Sequence, residues 1–211
     1  PGVDPERAVT SGDADFAQGG GLESVLAARA EGLPVVALAT VFQKTDVVYI
    51  APAGSGIRRL EAFAGRRISP WYTGIHLILR AMLRQANVDL GTVQEVVQGG
   101  SMQPFLDGEV DVAAATFYNQ LSKLHAAGID DLVLFDPADF GIVIPRDPII
   151  ASERLADAEP DVARRFVRAS LKGWQHAFDH QQAAVSSVLR RDPSLDAGHQ
   201  ALVRVEELVV D

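Results

Sequence analysis

The sequence predicts an α/β protein built around a largely parallel sheet. Three observations carry that expectation. Short apolar runs alternate with amphipathic runs throughout, the pattern of βα units. Hydrophobic residues make up 47% of the 211 residues and charged residues 22%, a globular balance that can fill a sizeable core. No internal repeat, low-complexity tract or apolar run near the roughly 20 residues of a membrane span breaks the pattern.

The elements follow in order. Leu22 to Glu31 has helical spacing, with Leu22, Val25 and Leu26 on one face and Ala30 continuing it; Gly32 stops it. Val35–Ala39 and Val47–Ala51 are short apolar runs of the buried-strand kind, and the Pro52–Gly56 stretch is a turn. Ile57 to Phe63 predicts a short helix and Arg67–Ser69 a brief strand. Gly74 to Ala86 predicts a helix, with Leu77, Ile78, Ala81 and Met82 at helical spacing. Then come a strand over 93–98, a short helix over 102–106, a strand over 110–116, a helix over 118–127 and a strand over 132–135. An extended return stretch covers 141–145 and 148–151. The remainder is helical: 159–179, 181–190, and a last helix from about Leu195.

Charge and composition exclude some functions. The chain holds 19 basic and 28 acidic residues, a net charge of -9, which repels phosphate backbones and argues against a nucleic-acid partner. With no cysteine, it offers no disulfide, thiolate metal site or cysteine nucleophile. His176 and His180 have zinc-compatible spacing, but Ala177 stands where a metalloprotease needs its glutamate, so a solvated helix face is the better reading. Asp139-Phe140-Gly141 spells a kinase metal triplet without the companion motifs and is read as chance. His76, His125 and His199 have no companion in the sequence.

Six stretches in order resemble a known family. Ser11-Gly12-Asp13-Ala14-Asp15-Phe16-Ala17 is similar to its G-x-A-D-F-G approach to the first pocket loop, with Ala17 in place of glycine. Ala28 to Val36 is similar to its A-R-A-x-G-x-P-V-V turn, and Leu60 to Ile68 to its entry into the second lobe. Asp107 to Val112 resembles x-G-x-V-D-A. Phe117-Tyr118-Asn119 resembles T-Y-N-E, with Gln120 replacing the glutamate. Phe166 to Trp174 resembles F-x-x-A-x-x-x-G-W. On these residues the chain resembles the periplasmic binding proteins for thiamine-pyrimidine precursors and riboflavin, relatives of the nitrate, sulfonate and taurine binders.

The resemblance implies a two-lobe periplasmic-binding-protein fold of type II, with the family's leading strand-helix-strand absent from this chain. Lobe one would hold 1–51 and 150–211, and lobe two 54–140. Hinge crossings would lie near 52–53 and 141–149. It further implies the solute-binding component of an ABC importer, a monomer that closes its lobes on a small heteroaromatic ligand, pyrimidine- or flavin-like, and presents it to a membrane permease. Its location would be periplasmic or membrane-anchored, a lipoprotein included, with no cofactor and no enzymatic activity. Two alternatives remain: a regulator's ligand-sensing effector domain, and a relative of the eukaryotic pyrimidine synthases, whose Cys-rich iron site this chain lacks.

Ligands of α/β folds collect at the C-terminal ends of strands. Gly19 and Gly20 allow backbone N–H groups to approach a ligand, unless they form a plain helix-entry turn. Phe42 could stack on a ring and Gln43 bond its edge; the alternative is a core Phe42 and a solvated Gln43. Trp71 and Tyr72 are adjacent aromatics in a short polar loop, suited to a flat ring or to an interdomain seam. Thr73 is placed to cap the following helix. Tyr118 and Asn119 follow another strand; Asn119 both donates and accepts, or else caps the next helix. Asp139 is placed to meet a ligand amine.

Overall fold

The computed structural model describes residues 4–195, over which the elements run in this order. They are α1 (Pro5–Ser11), β1 (Phe16–Gln18), α2 (Leu22–Ala30), β2 (Val35–Phe42), β3 (Val47–Pro52), β4 (Arg67–Ser69), α3 (Ile75–Gln85), β5 (Gln94–Glu95), α4 (Gln103–Leu106), β6 (Val112–Thr116), α5 (Ser122–Ala126), β7 (Leu132–Phe135), β8 (Arg146–Ser152), α6 (Glu153–Ala158), α7 (Pro160–Asp179) and α8 (Gln181–Arg191). The helix expected from Leu195 lies outside the described residues.

The chain divides into two units, Pro1–Lys44 with Ile144–Asp211 and Thr45–Val143. This moves the expected boundary at 51. β3 pairs with β6 and β7 and therefore belongs to the second unit, not with 1–51. The return crossing falls at Val143/Ile144, so β8 lies wholly in the first unit.

Unit 1 carries a three-stranded sheet in the order β1-β8-β2, with both pairings antiparallel. β1 and β2 run the same way, as a crossover through α2 requires, but the return strand β8 lies between them. That is why the expected parallel sheet is not found here: βα alternation fixes the direction of β1 and β2, not of the strand inserted later. The core under the sheet is Val9, Val25, Ala28, Val35 and Ile150. The expected apolar face of α2 is turned. Leu26 is 68% exposed and Ala30 is exposed, while Glu23 is buried with Val25 and Ala28. α1 is capped by Asp4, whose side chain accepts the Arg7 N–H, with Pro5 in its first turn.

Unit 2 carries a five-stranded sheet, β5-β4-β6-β3-β7. β4 pairs parallel with β5 and β6, whereas β3 pairs antiparallel with β6 and β7. One face packs Val48, Ile50, Ala113 and Ala115 against Phe105, Leu121 and Leu124. Tyr49 points the other way and donates its buried hydroxyl to the Ile75 carbonyl at the start of α3 (3.0 Å). α3 buries Ile75, Ile78, Leu79, Met82 and Leu83, while Ala81 is exposed.

Three further expectations shorten. The helix over 57–63 is a 3-10 turn at Leu60–Phe63, because Gly56 and Gly65 leave too few residues to repay helix nucleation. The strand over 93–98 is only β5, since its partner β4 is three residues long. The helix from Tyr118 opens as a π-helical turn, Phe117–Leu121, before α5.

Candidate functional site

The candidate site is one edge of the unit 2 sheet. β4, β5 and β6 are parallel, so the loops that leave them start from the same edge. β3 begins there too, since Val47 pairs with Thr116. This brings Trp71, Tyr72 and Thr73 to the same edge as Tyr118 and Asn119, with the 96–101 loop and the buried Thr45 and Asp46 beside them.

Backbone and side-chain bonds fix these loops to one another. The Gln98 N–H donates to the Pro70 carbonyl (3.0 Å), and Trp71 Nε1 donates to the Gly99 carbonyl (3.2 Å). The Ser69 hydroxyl donates to Gln98 Oε1, and Gln98 Nε2 reaches the Ala114 carbonyl (3.4 Å). Gln98 thus joins the end of β4 to the middle of β6. A cavity of about 200 Å³ lies beside Gln98, lined by Ser69, Gly99, Ser101, Phe105 and Val110 among others; Trp71, Tyr72, Tyr118 and Asn119 are not in its lining.

Thr73 does not cap α3. The cap is Gly74, with φ 107°, and no side chain bonds the helix N-terminus. Glycine is required there because the chain reverses sharply at positive φ. Thr73 is exposed on the turn, and Tyr72 is 47% exposed.

Tyr72 is nevertheless held. Its hydroxyl donates to Glu95 Oε2 (2.6 Å), and Arg80 grips both Glu95 oxygens through Nε and Nη2 (2.8 Å each). His76, one turn before Arg80, stacks on the Tyr72 ring at 4.7 Å and 30°. The hydrogen bond from Arg80 holds the Glu95 carboxyl below its ordinary value, and the bond to Glu95 raises the Tyr72 phenol. Burial, then the charge of Arg80, lowers the His76 imidazole.

Tyr118 and Asn119 lie half-buried in the π-helical turn. Asn119 is not an N-cap; Thr116 occupies that position. Gln120 accepts the Thr116 N–H (3.0 Å) and hydroxyl (2.8 Å), so it fastens the turn to β6. Asp139 is exposed on the 3-10 turn after β7.

The other expected residues belong to unit 1, at the C-terminal ends of β1 and β2. The Gly19 N–H is already used by the Pro148 carbonyl (2.8 Å), and a side chain at Gly19 would press on Pro148 and Glu6. Gly20 is half-buried next to it, and Gln43 is exposed. Phe42 is 2% exposed with its ring edge-on to Trp174 at 6.1 Å, which places it in the core rather than open to a ring ligand. Buried Arg146 and Glu23 pair beside Gly21, and Ser24 donates to Glu6 (2.6 Å). A larger cleft of about 590 Å³ lies along α7 and β2. Its aliphatic floor of Leu38, Val167 and Leu171 and its rim of Arg164, Arg168 and Lys172 lack the aromatic groups gathered in unit 2. His176 and His180 stack on each other at 4.2 Å, and no metal-holding cluster occurs among the described residues.

With this geometry in hand, comparison places the chain. The family described as NMT1/THI5 like matches residues 1–184. The chain belongs to the NMT1/THI5-like family. It is 28% identical over 190 residues to the riboflavin-binding protein RibY of Chloroflexus aurantiacus, covering 86% of this chain and 52% of that relative. It therefore spans about half the length of the curated relative it matches. Among solved structures it is similar to the alkanesulfonate-binding protein SsuA of Xanthomonas axonopodis pv. citri bound to MOPS, with TM-score 0.71, 18% identity, and coverage of 95% of this chain and 70% of that one. The periplasmic aliphatic sulphonate binding protein SsuA of Escherichia coli gives TM-score 0.71 at 16% identity, covering 94% and 65%. At those identities the likeness establishes the fold, that of periplasmic solute-binding proteins.

In this NMT1/THI5-like chain, sequence reasoning missed Ser69, His76, Arg80, Glu95 and Gln98. His76 and Arg80 are helical neighbours four residues apart, a signal visible in the sequence. Their partner Glu95 lies on β5, outside the helix, and no local pattern announces it.

Proposed function

We propose that this NMT1/THI5-like chain forms the ligand-binding body of the solute-binding component of an ABC importer. Its ligand would be a small planar heteroaromatic molecule, pyrimidine- or flavin-like, and its role is capture and delivery to a membrane permease, not catalysis. The observation that carries the reading is the grouping of Trp71, Tyr72, Tyr118 and Asn119 on one edge of the unit 2 sheet. Aromatic faces take a flat ring, and an amide meets a ring edge that both donates and accepts. Family membership and the curated riboflavin-binding relative support the ring class. An extracytoplasmic location follows from the same reading. Among the described residues no helix is long and apolar enough to cross a membrane.

A thermal-shift panel tests this. Riboflavin, thiamine, substituted pyrimidines and alkanesulfonates are each added to the 211-residue chain. A ring ligand at a hundredfold excess over its Kd should stabilise the protein by about 2.7 kcal/mol and raise its Tm. Trp71→Ala should then weaken that ligand by about 2 kcal/mol or more, as removal of a central aromatic anchor does. A shift with sulfonates and none with rings would replace the ring class while keeping the transport reading.

A further inference from the structure

We propose that Arg80 and Glu95 are positioning residues that hold Tyr72 as a ready-made platform for one face of a planar ring ligand. The inference rests on the ring-binding reading above and assigns a role to three groups outside the expected site: His76, Arg80 and Glu95.

An exposed tyrosine in a loop ordinarily samples several rotamers. Tyr72, although 47% exposed, is constrained from two sides. Its hydroxyl is tied to Glu95, and one ring face is covered by His76. Glu95 is itself fixed by a two-pronged bond from Arg80, the geometry that a planar guanidinium and a carboxylate favour. The chain of contacts links the loop after β4, the helix α3 and the strand β5. The Glu95 side chain is 16% exposed and that of Arg80 36%. A bidentate grip of this kind fixes the Glu95 carboxylate in one place, and with it the oxygen that receives the Tyr72 hydroxyl.

Fixing the ring before binding removes part of the entropy that the ligand would otherwise have to offset. Tyrosine suits this use, because only two side-chain torsions need to be held. The face opposite His76 is the one presented. Trp71, the neighbouring aromatic of the same loop, is itself held, its indole N–H donating to the Gly99 carbonyl. Burial and then the charge of Arg80 lower the His76 pKa, which disfavours a charge beneath the platform.

The test is a double-mutant cycle on the 211-residue chain with riboflavin as the probe, read by flavin fluorescence. Glu95→Ala should weaken binding about threefold to tenfold in the wild-type background, the scale of lost preorganisation. In a Tyr72→Phe background, which lacks the hydroxyl that Glu95 holds, the same substitution should change nothing further. Arg80→Lys, which keeps the charge and loses the fork, should fall between wild type and Glu95→Ala. Equal losses in both backgrounds would overturn the proposal, because Glu95 would then act without Tyr72. A second measurement stands apart from any ligand. With 3-fluorotyrosine incorporated, the Tyr72 fluorine resonance, assigned by Tyr72→Phe, should be shifted from the free amino acid in wild type and move towards it in Glu95→Ala. An unchanged resonance overturns the platform even if riboflavin binds. Absence of riboflavin binding with a displaced resonance would remove the flavin ligand and leave the platform standing.

Discussion

Arg146 and Glu23 form an ion pair with side chains only 8% and 5% exposed. Gly21 lies so close that a Cβ there would overlap the Glu23 carboxylate and the Arg146 guanidinium. Breaking a buried ion pair is destabilising, because the desolvation of the remaining charge is no longer matched by that partner. Glu23→Ala should therefore lower the unfolding free energy by about 1–3 kcal/mol, measured by urea denaturation. A change below about 1 kcal/mol would show that the pair is not desolvated in solution. At this scale the sequence is a partial guide. The apolar spacing of α2 points to Leu26 as a core residue, yet Leu26 is exposed and Glu23 is buried. The helix is rotated because Glu23 must meet Arg146, 123 positions away in the sequence, and periodicity carries no trace of such a partner. The loop that carries Trp71 and Tyr72 was legible as a loop, because Pro70 and Gly74 bracket it between a strand and a helix.

At the scale of the element, the helices divide by what they can tolerate. α7 is 20 residues long, and a methyl group added at its Gly173 would meet nothing within 4 Å. Glycine inside a helix costs roughly 0.5–1 kcal/mol relative to alanine, so Gly173→Ala should stabilise the protein by about that amount. The urea midpoint checks this, and a fall would mean that the site is tighter than its surroundings indicate. Gly21→Ala, before α2, should do the opposite, since its Cβ enters the Arg146–Glu23 contact. The existence of α3, α7 and α8 was legible in sequence because each sustains a helical period over three turns or more. The π-helical turn at Phe117–Leu121 was not. Its geometry follows from Gln120 reaching back to Thr116, a side-chain bond that hydrophobic spacing cannot express. β5 is likewise shorter than its apolar run because the length of a strand is set by its neighbour.

For the whole molecule, several titrating groups bias stability in one direction. The Arg80 hydrogen bond lowers the Glu95 carboxyl. Burial pushes Asp111 up, but side-chain and backbone hydrogen bonds from Arg67 outweigh it and leave that carboxyl lowered too. A carboxyl depressed on folding adds stability above its ordinary pKa and loses it as pH falls through the depressed value. His76, also lowered, resists the proton it would accept when unfolded, so it too favours the folded state at higher pH. The urea midpoint should fall between pH 7 and pH 3, and fall less in Glu95→Gln with its titrating group removed. An equal fall in both proteins would remove Glu95 from the acid response. The division into two units was legible from the resemblance, but its boundary was not. Val47–Ala51 has the same apolar character as Val35–Ala39, and only strand pairing assigns the first run to unit 2 and the second to unit 1.

The place of β8 between β1 and β2 also sets a timetable for synthesis. β1 and β2 bond only to β8 among the described strands, and β8 starts about a hundred residues after β2 ends. A ribosome adds about 5–20 residues per second, so the two early strands wait roughly 5–20 s for their shared partner. During that interval the whole of unit 2 emerges, and each of its strands already has its partners within Thr45–Val143. Unit 2 can thus complete its sheet before β8 exists, whereas the pairing of β1 and β2 with β8 comes only after it.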